Sequence, residues 1–145
     1  MKRIYHILIM ILVTIACTLS YSCTRNNGDI GDWFGTWRVD ELTVDGEPDP
    51  NYGPPYMIFK FQSSIVSIVW PDEASHSVPG CTGTWEQQGN KLLLRFDYGQ
   101  FSPTAASHLP EVGTLDILKL SRSTIELEYH SPQGITYYYK LKKWG

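Results

Sequence analysis

From residue 34 to the end of the chain, apolar and polar residues alternate, and no stretch of eleven or more residues keeps an apolar period of 3.6. Alternation with period two marks strands with one buried face, so the fold class read from the sequence is all-β. Phe34 to Val44 forms the first strand; Trp37 and Val39 share a face, and a change of parity before Leu42 and Val44 places a bulge near Asp40-Glu41. Asp45-Gly46 marks a turn, and the proline-rich segment 47–55 is expected to stay out of any ladder. Further strands run from Met57 to Phe61, Ile65 to Trp70, Cys81 to Gln88 and Lys91 to Tyr98, with Gly89-Asn90 as a two-residue hairpin turn. The last third reads as a meander of Thr114 to Leu120, Thr124 to His130 and Ile135 to Lys143, with Ser131-Pro132-Gln133-Gly134 suited to a type I turn. Eight such strands in an open sheet would leave two edges and a bare apolar face. Closure into an eight-stranded antiparallel up-and-down barrel removes both, and a two-sheet β-sandwich is the alternative.

The N-terminus sets the expected address. Lys2 and Arg3 precede a largely apolar run from Ile4 to Ala16, the arrangement of a secretory signal peptide. That run is shorter than the roughly 20 residues a membrane-spanning helix needs. Small residues precede two cysteines, as a lipoprotein signal peptidase requires. Cys23, after Ser20-Tyr21-Ser22, is the expected lipidated residue because the polar segment 24–29 can follow it as a tether; Cys17, after Thr14-Ile15-Ala16, is the alternative, and ordinary cleavage near Ala16 would release a soluble product. The expected organisation is a signal peptide over 1–22, a tether over 23–31 and one domain over 32–145. With Cys23 acylated and Cys17 removed, Cys81 remains alone; with Cys17 acylated, Cys23 and Cys81 could pair in an oxidising compartment.

Removing residues 1–22 leaves 123 residues, enough for one domain with its own core. Lys2 and Arg3 leave with the signal, so ten basic residues face fifteen acidic ones, a formal charge of −5. A net charge of that sign argues against nucleic-acid binding and assigns membrane attachment to the acyl chains alone.

The segment Gly31-Asp32-Trp33-Phe34-Gly35-Thr36-Trp37, the meander Leu115 to His130 and the ending Tyr138-Tyr139-Lys140-Leu141-Lys142-Lys143 resemble the small lipocalin-like domain lipoproteins of Gram-negative envelopes, with their calycin-type barrel. The resemblance implies that a short helical turn closes the barrel floor, that Gly35 and Trp37 are structural residues of a Gly-x-Trp opening the first strand, and that a late cation covers the Trp37 indole. Lys140, Lys142 or Lys143 would have to supply that cation in place of the family's arginine. It also gives segment 47–55 the place of a lid, and it implies an envelope address, in the outer membrane. The chain lacks the C-terminal helix of the larger ligand carriers.

The zinc-protease His-Glu-x-x-His, the nucleophile elbow Gly-x-Ser-x-Gly, paired Cys-x-x-Cys and phosphate-binding glycine loops are all missing from the sequence. No catalytic residues, cofactor or metal site are therefore assigned, and the protein is not read as an enzyme. His76 and His108 fall in the two long loops, with Asp72 and Glu111 as the acidic residues that a metal site there would need, but no spacing supports one. Five tryptophans and many other aromatics either fill the barrel or stack on a ligand. The expected role is non-catalytic binding, with a small apolar ligand held in the mouth by Phe59, Leu94, Phe96, Tyr98, Tyr137 and Tyr139. The alternative is a protein-binding module, an envelope inhibitor or an accessory subunit of a surface complex, that uses loops 71–80 and 98–113.

Overall fold

The structure is a computed structural model that describes Met1 and residues 4–7, 9–11, 31–70, 80–96 and 107–145. A 3₁₀ turn at Gly31–Trp33 leads into nine strands: β1 (Gly35–Val44), β2 (Glu47–Pro48), β3 (Ile58–Gln62), β4 (Ile65–Val69), β5 (Gly80–Gln88), β6 (Lys91–Phe96), β7 (Val112–Leu120), β8 (Thr124–His130) and β9 (Thr136–Lys143). From β3 to β9 each strand pairs with the next, β1 pairs with β3, and β1 also pairs with β9. Eight antiparallel strands thus close a barrel, and β2 is an extra strand outside the ring. The β1–β9 ladder runs from Trp37 opposite Lys143 to Val44 opposite Tyr137. A two-sheet sandwich would separate these strands, so the pairing excludes that alternative. Among the described residues no helix is long and apolar enough to cross a membrane.

The local readings hold where side-chain parity or turn chemistry dictates them. The β1–β9 register shifts between Val39 and Glu41, at the expected bulge. Gln88 faces Lys91 across Gly89-Asn90, and Gly134 N–H reaches the Ser131 carbonyl at 3.0 Å to close the last turn. Strand limits move slightly: β7 starts at Val112, two residues before Thr114, and Phe34 lies outside β1, half-exposed.

The expectation that segment 47–55 stays out of a ladder is corrected. Glu47 and Pro48 pair with Val44 and Thr43. The proline is tolerated because β2 is an edge strand of two residues, and the next bond comes from Asp49 N–H to the Leu42 carbonyl at 3.0 Å.

Inward residues of every barrel strand join one core. Trp37, Phe59, Ile68, Leu92, Leu115, Ile125 and Leu141 belong to it and are fully buried. Cys81 is buried on β5, and burial pushes its thiol pKa up to about 11.

The connections sort the barrel into two ends. The 3₁₀ turn, the turns 63–64, 89–90 and 121–123 and the C-terminus lie at one end, the floor; the connections after β1, β4, β6 and β8 lie at the other, the mouth.

Candidate functional site

The floor is sealed by aromatic packing. Trp33 packs, tilted, with its ring centroid 5.0 Å from Phe61 and 5.3 Å from Trp85, and Phe61 meets Trp85 edge-on at 5.3 Å. Trp33 Nε1 donates to Gln87 Oε1 at 2.8 Å, and Trp37 Nε1 donates to the Trp33 carbonyl at 2.9 Å. Of the three late lysines, Lys143 covers the Trp37 ring, its Nζ 4.5 Å from the centroid, while donating to the Phe34 carbonyl. Gly35 makes room for it. A Cβ there would come within 2.8 Å of Lys143 Nζ, and the residue sits at φ +116°, a conformation that favours glycine. Lys140 and Lys142 instead extend toward Glu41 and Asp40, at 3.1 and 3.7 Å.

The mouth is held by two connections that reach over it. The segment 107–109 turns inward: Leu109 is fully buried in the core, and the Tyr139 hydroxyl donates to the Ser107 carbonyl at 2.5 Å. His108 adopts φ +59° and places its Nε2 2.8 Å from Asp49 Oδ2. Its ring lies flat on Tyr137, with centroids 4.7 Å apart, and Tyr137 lies in turn over Tyr129 at 6.1 Å. Burial works to raise the Asp49 pKa, but the Asn51 N–H at 2.9 Å and the His108 ring outweigh it, and the carboxyl stays below its ordinary value. Tyr52 fastens the same connection to the wall. Its hydroxyl donates to the Val39 carbonyl at 2.5 Å and accepts from Met57 N–H at 3.2 Å, and burial drives its pKa well upward.

The ligand candidates fall into three groups. Phe59, Leu94, Phe96 and Tyr139 point inward and are packed within the core, so a ligand reaching them would have to displace side chains already in contact. Tyr137 is half-buried at the mouth. Tyr98 lies outside the described residues, as do Cys17, Cys23, His76, Asp72, loop 71–79 and residues 97–106. The His108 imidazole turns to Asp49, the acidic group that the β1–β3 connection carries to the mouth.

Sequence reasoning gave Trp70 no role. It follows β4 in phase with the inward Val66 and Ile68, at the mouth end, and packs against the core. Its Nε1 is buried and has no hydrogen-bond partner; Trp85 Nε1, amid the floor aromatics, is the other such indole among the described residues. A buried donor left unpaired costs about 1–3 kcal/mol, which makes such atoms worth explaining. Nor could the sequence have joined Asp49 to His108, since no local signal links residues 59 positions apart.

Outside the barrel, Asp116, Glu128 and His130 bring ligand-type atoms within 4.8 Å of one another. Lys91 already bridges to Asp116, and His130 Nε2 sits 2.9 Å from Glu128 Oε1, so the group forms a solvated ion network. A groove of about 310 Å³ crosses β5–β7, lined on its outer side by Glu86, Leu93, Arg95 and Val112. A second depression of about 380 Å³ lies at the floor between Asp32, Phe34, Arg122 and Lys143.

No model of a known protein family matches the chain, and no curated protein does. Solved structures do. A lipocalin-like protein from Bacteroides uniformis superposes with a TM-score of 0.62 at 17% identity, over 79% of this chain and 100% of that one. An uncharacterized protein from Bacteroides eggerthii gives a TM-score of 0.58 at 14% identity, over 77% of this chain and 99% of that one. At such identities the likeness bears on the fold. Taken with the ring closed by β1 and β9 and the Gly35–Trp37–Lys143 floor, it gives this chain the fold of a lipocalin-like barrel.

Proposed function

We propose that the protein is an envelope lipoprotein, acylated at Cys23, that binds a small apolar ligand at the barrel mouth and performs no catalysis. The unpaired Trp70 Nε1 carries this reading. An indole that ends an inward-facing row at the mouth offers an apolar face and one hydrogen-bond donor, a combination suited to an apolar molecule with a single acceptor. The filled interior favours a shallow site beside Trp70 and Tyr137 over one in the barrel depth. Replacing Trp70 by Phe keeps the apolar face and removes the donor. Titrating wild type and Trp70→Phe with an apolar fluorescent probe bearing one carbonyl should show weaker binding by the variant at an unchanged unfolding midpoint; equal affinities would refute the site.

The anchor rests on the signal sequence and is tested separately. Cys23→Ala should move the protein out of the membrane fraction and abolish labelling by a fatty-acid analogue. If Cys17→Ala does so instead, Cys17 is the acylated residue. A protein-binding role is the second reading, favoured by the outer groove, where Val112 is exposed and Arg95 has no ion-pair partner among the described residues. Loops 71–80 and 98–113 would extend that surface. Loss of a co-purifying envelope protein on Arg95→Glu, with probe binding intact, would favour it.

A further inference from the structure

The formal charge of −5 over residues 23–145 conceals an uneven surface. Among the described residues, the connections at the mouth carry Asp45, Glu47, Asp49 and Glu111, whereas the floor end carries Lys91, Lys119, Arg122, Lys142 and Lys143 against Asp32, Glu86 and Glu126, the last opposite Lys119. Large apolar side chains are distributed in the same way. Among the described residues beyond the N-terminal segment, the strongly exposed ones are Phe34, Ile65, Val112, Leu118 and Trp144, and all of these except Val112 belong to the floor half of the barrel. Phe34 and Trp144 are each 50% exposed and flank Lys143, whose Nζ holds the Phe34 carbonyl, while Trp144 N–H holds the Thr36 carbonyl at 2.9 Å. Arg122 stands almost fully exposed beside them, 4.0 Å from Asp32. Half-exposed aromatics set among cations are the composition of a surface that rests at lipid headgroups.

Chain connectivity points the same way. Seven residues, 24–30, separate Cys23 from the floor turn that begins at Gly31, a reach of at most about 28 Å. To bring the mouth to the membrane, most of that segment would have to lie extended along the wall, since a nine-residue strand such as β5 or β7, about 30 Å long and tilted as in other barrels, still rises about 20–25 Å. The short path leaves the floor against the bilayer.

We propose that the barrel stands on its floor at the phospholipid surface, with Phe34 and Trp144 seated among the headgroups, Arg122 and Lys119 facing lipid phosphates, and the mouth turned away from the membrane. This rests on the anchor at Cys23 and adds a second attachment to it; acyl chains and a basic or aromatic surface acting together hold a protein to a bilayer more firmly than either alone. It also replaces the expectation that the acyl chains act alone, because a bilayer senses the charge of the face it meets and not the sum over the molecule.

The test uses the full acylated protein reconstituted in vesicles of zwitterionic and anionic phospholipid, and the Trp144→Phe variant alongside it. The difference between their emission spectra isolates Trp144 from the four other tryptophans. That difference should shift to the blue on vesicles, be lost when the lipid chains are brominated close to the headgroup, and become less sensitive to acrylamide. Arg122→Glu should weaken all three effects, most on anionic vesicles. Acylated protein that sediments with vesicles while its Trp144 stays unquenched and open to acrylamide overturns the orientation and leaves the anchor standing. Protection from acrylamide without quenching by brominated lipid also overturns it, in favour of a protein contact on the floor. Protein that carries no acyl chain and does not sediment with vesicles overturns both.

Discussion

Replacing Trp37 by Ala tests whether the indole closes the floor or lines a pocket. The side chain is wholly buried among floor residues, its Nε1 is bonded to the Trp33 carbonyl, and its ring carries the Lys143 ammonium. An aromatic of this size buries about 150–250 Å², which at about 25 cal/mol per Å² corresponds to roughly 4–6 kcal/mol of transfer free energy. The measured cost of truncating such a ring is about 3–5 kcal/mol, because the surroundings relax into part of the cavity. Part of that cost here comes from Lys143, which would lose its aromatic partner, and from the Trp33 carbonyl, which would lose its donor. A domain of this size holds about 5–15 kcal/mol in all, so the variant should remain folded in water with a much reduced margin. Urea titration followed by far-ultraviolet circular dichroism should show a strongly lowered midpoint at nearly constant slope. The melting temperature should fall by on the order of 10–20 °C. Tyr137→Ala, at the half-buried mouth, should cost about 1–2 kcal/mol. The reasoning fails if Trp37→Ala leaves the midpoint unchanged and abolishes binding of an apolar probe, for the indole would then face a ligand and the floor would be the mouth.

Three further outcomes follow from the same geometry. Gly35→Ala should destabilise by about 1–2 kcal/mol, because a Cβ meets Lys143 Nζ and an L-residue is strained at φ +116°; an unchanged urea midpoint would show that Lys143 does not need that space. Asp49 has a folded-state pKa below its unfolded value of about 3.9, so its ionised form stabilises the fold above that value and the contribution drains away as pH falls through the lowered one. The stability gap between wild type and Asp49→Asn should therefore be fully developed by about pH 5 and shrink on acidification below it, and a gap that does not change on acidification would contradict the sign. Cys81, buried with its pKa raised to about 11, should react with iodoacetamide at pH 8 far more slowly than an unfolded control; equal rates would mean that the β5 wall opens readily.

The structure joins the two long-range features that define the molecule's ends. At the floor a glycine, an indole and an ammonium from opposite ends of the sequence lock β1 to β9. At the mouth an aspartate and a histidine tie the connection after β1 to the one after β6. The floor is covered by rings. Among the described residues, the mouth is held by the Asp49–His108 contact, the His108–Tyr137 stack, the hydroxyls of Tyr52 and Tyr139 and the inserted Leu109.

Local chemistry made much of the fold legible. Alternation of apolar residues identified all eight barrel strands to within a few residues, because side chains on a strand change face at every step. The parity change after Val39 located the β1 bulge, and Gly89-Asn90 and Gly134 located turns, since each is a conformational requirement of one or two residues. Even the barrel followed from the strands, as the closure that hides every edge and every apolar face. The expectation of a signal peptide, with Cys23 or Cys17 acylated after it, rests on the sequence alone. The rest depended on which residues the closed ring brings together. Three lysines near the end of the chain were equivalent candidates for the Trp37 indole, and only the β1–β9 register, placing Lys143 opposite Trp37, selected one. The proline-rich segment read as excluded from pairing until an edge position let Pro48 in without a donor. Asp49 and His108, Leu109 within the core, the unpaired Trp70 and the basic, aromatic floor have no sequence signature of their own. Each is a meeting, or a failure to meet, between distant residues, and such meetings are fixed by closure, register and the path of the connections.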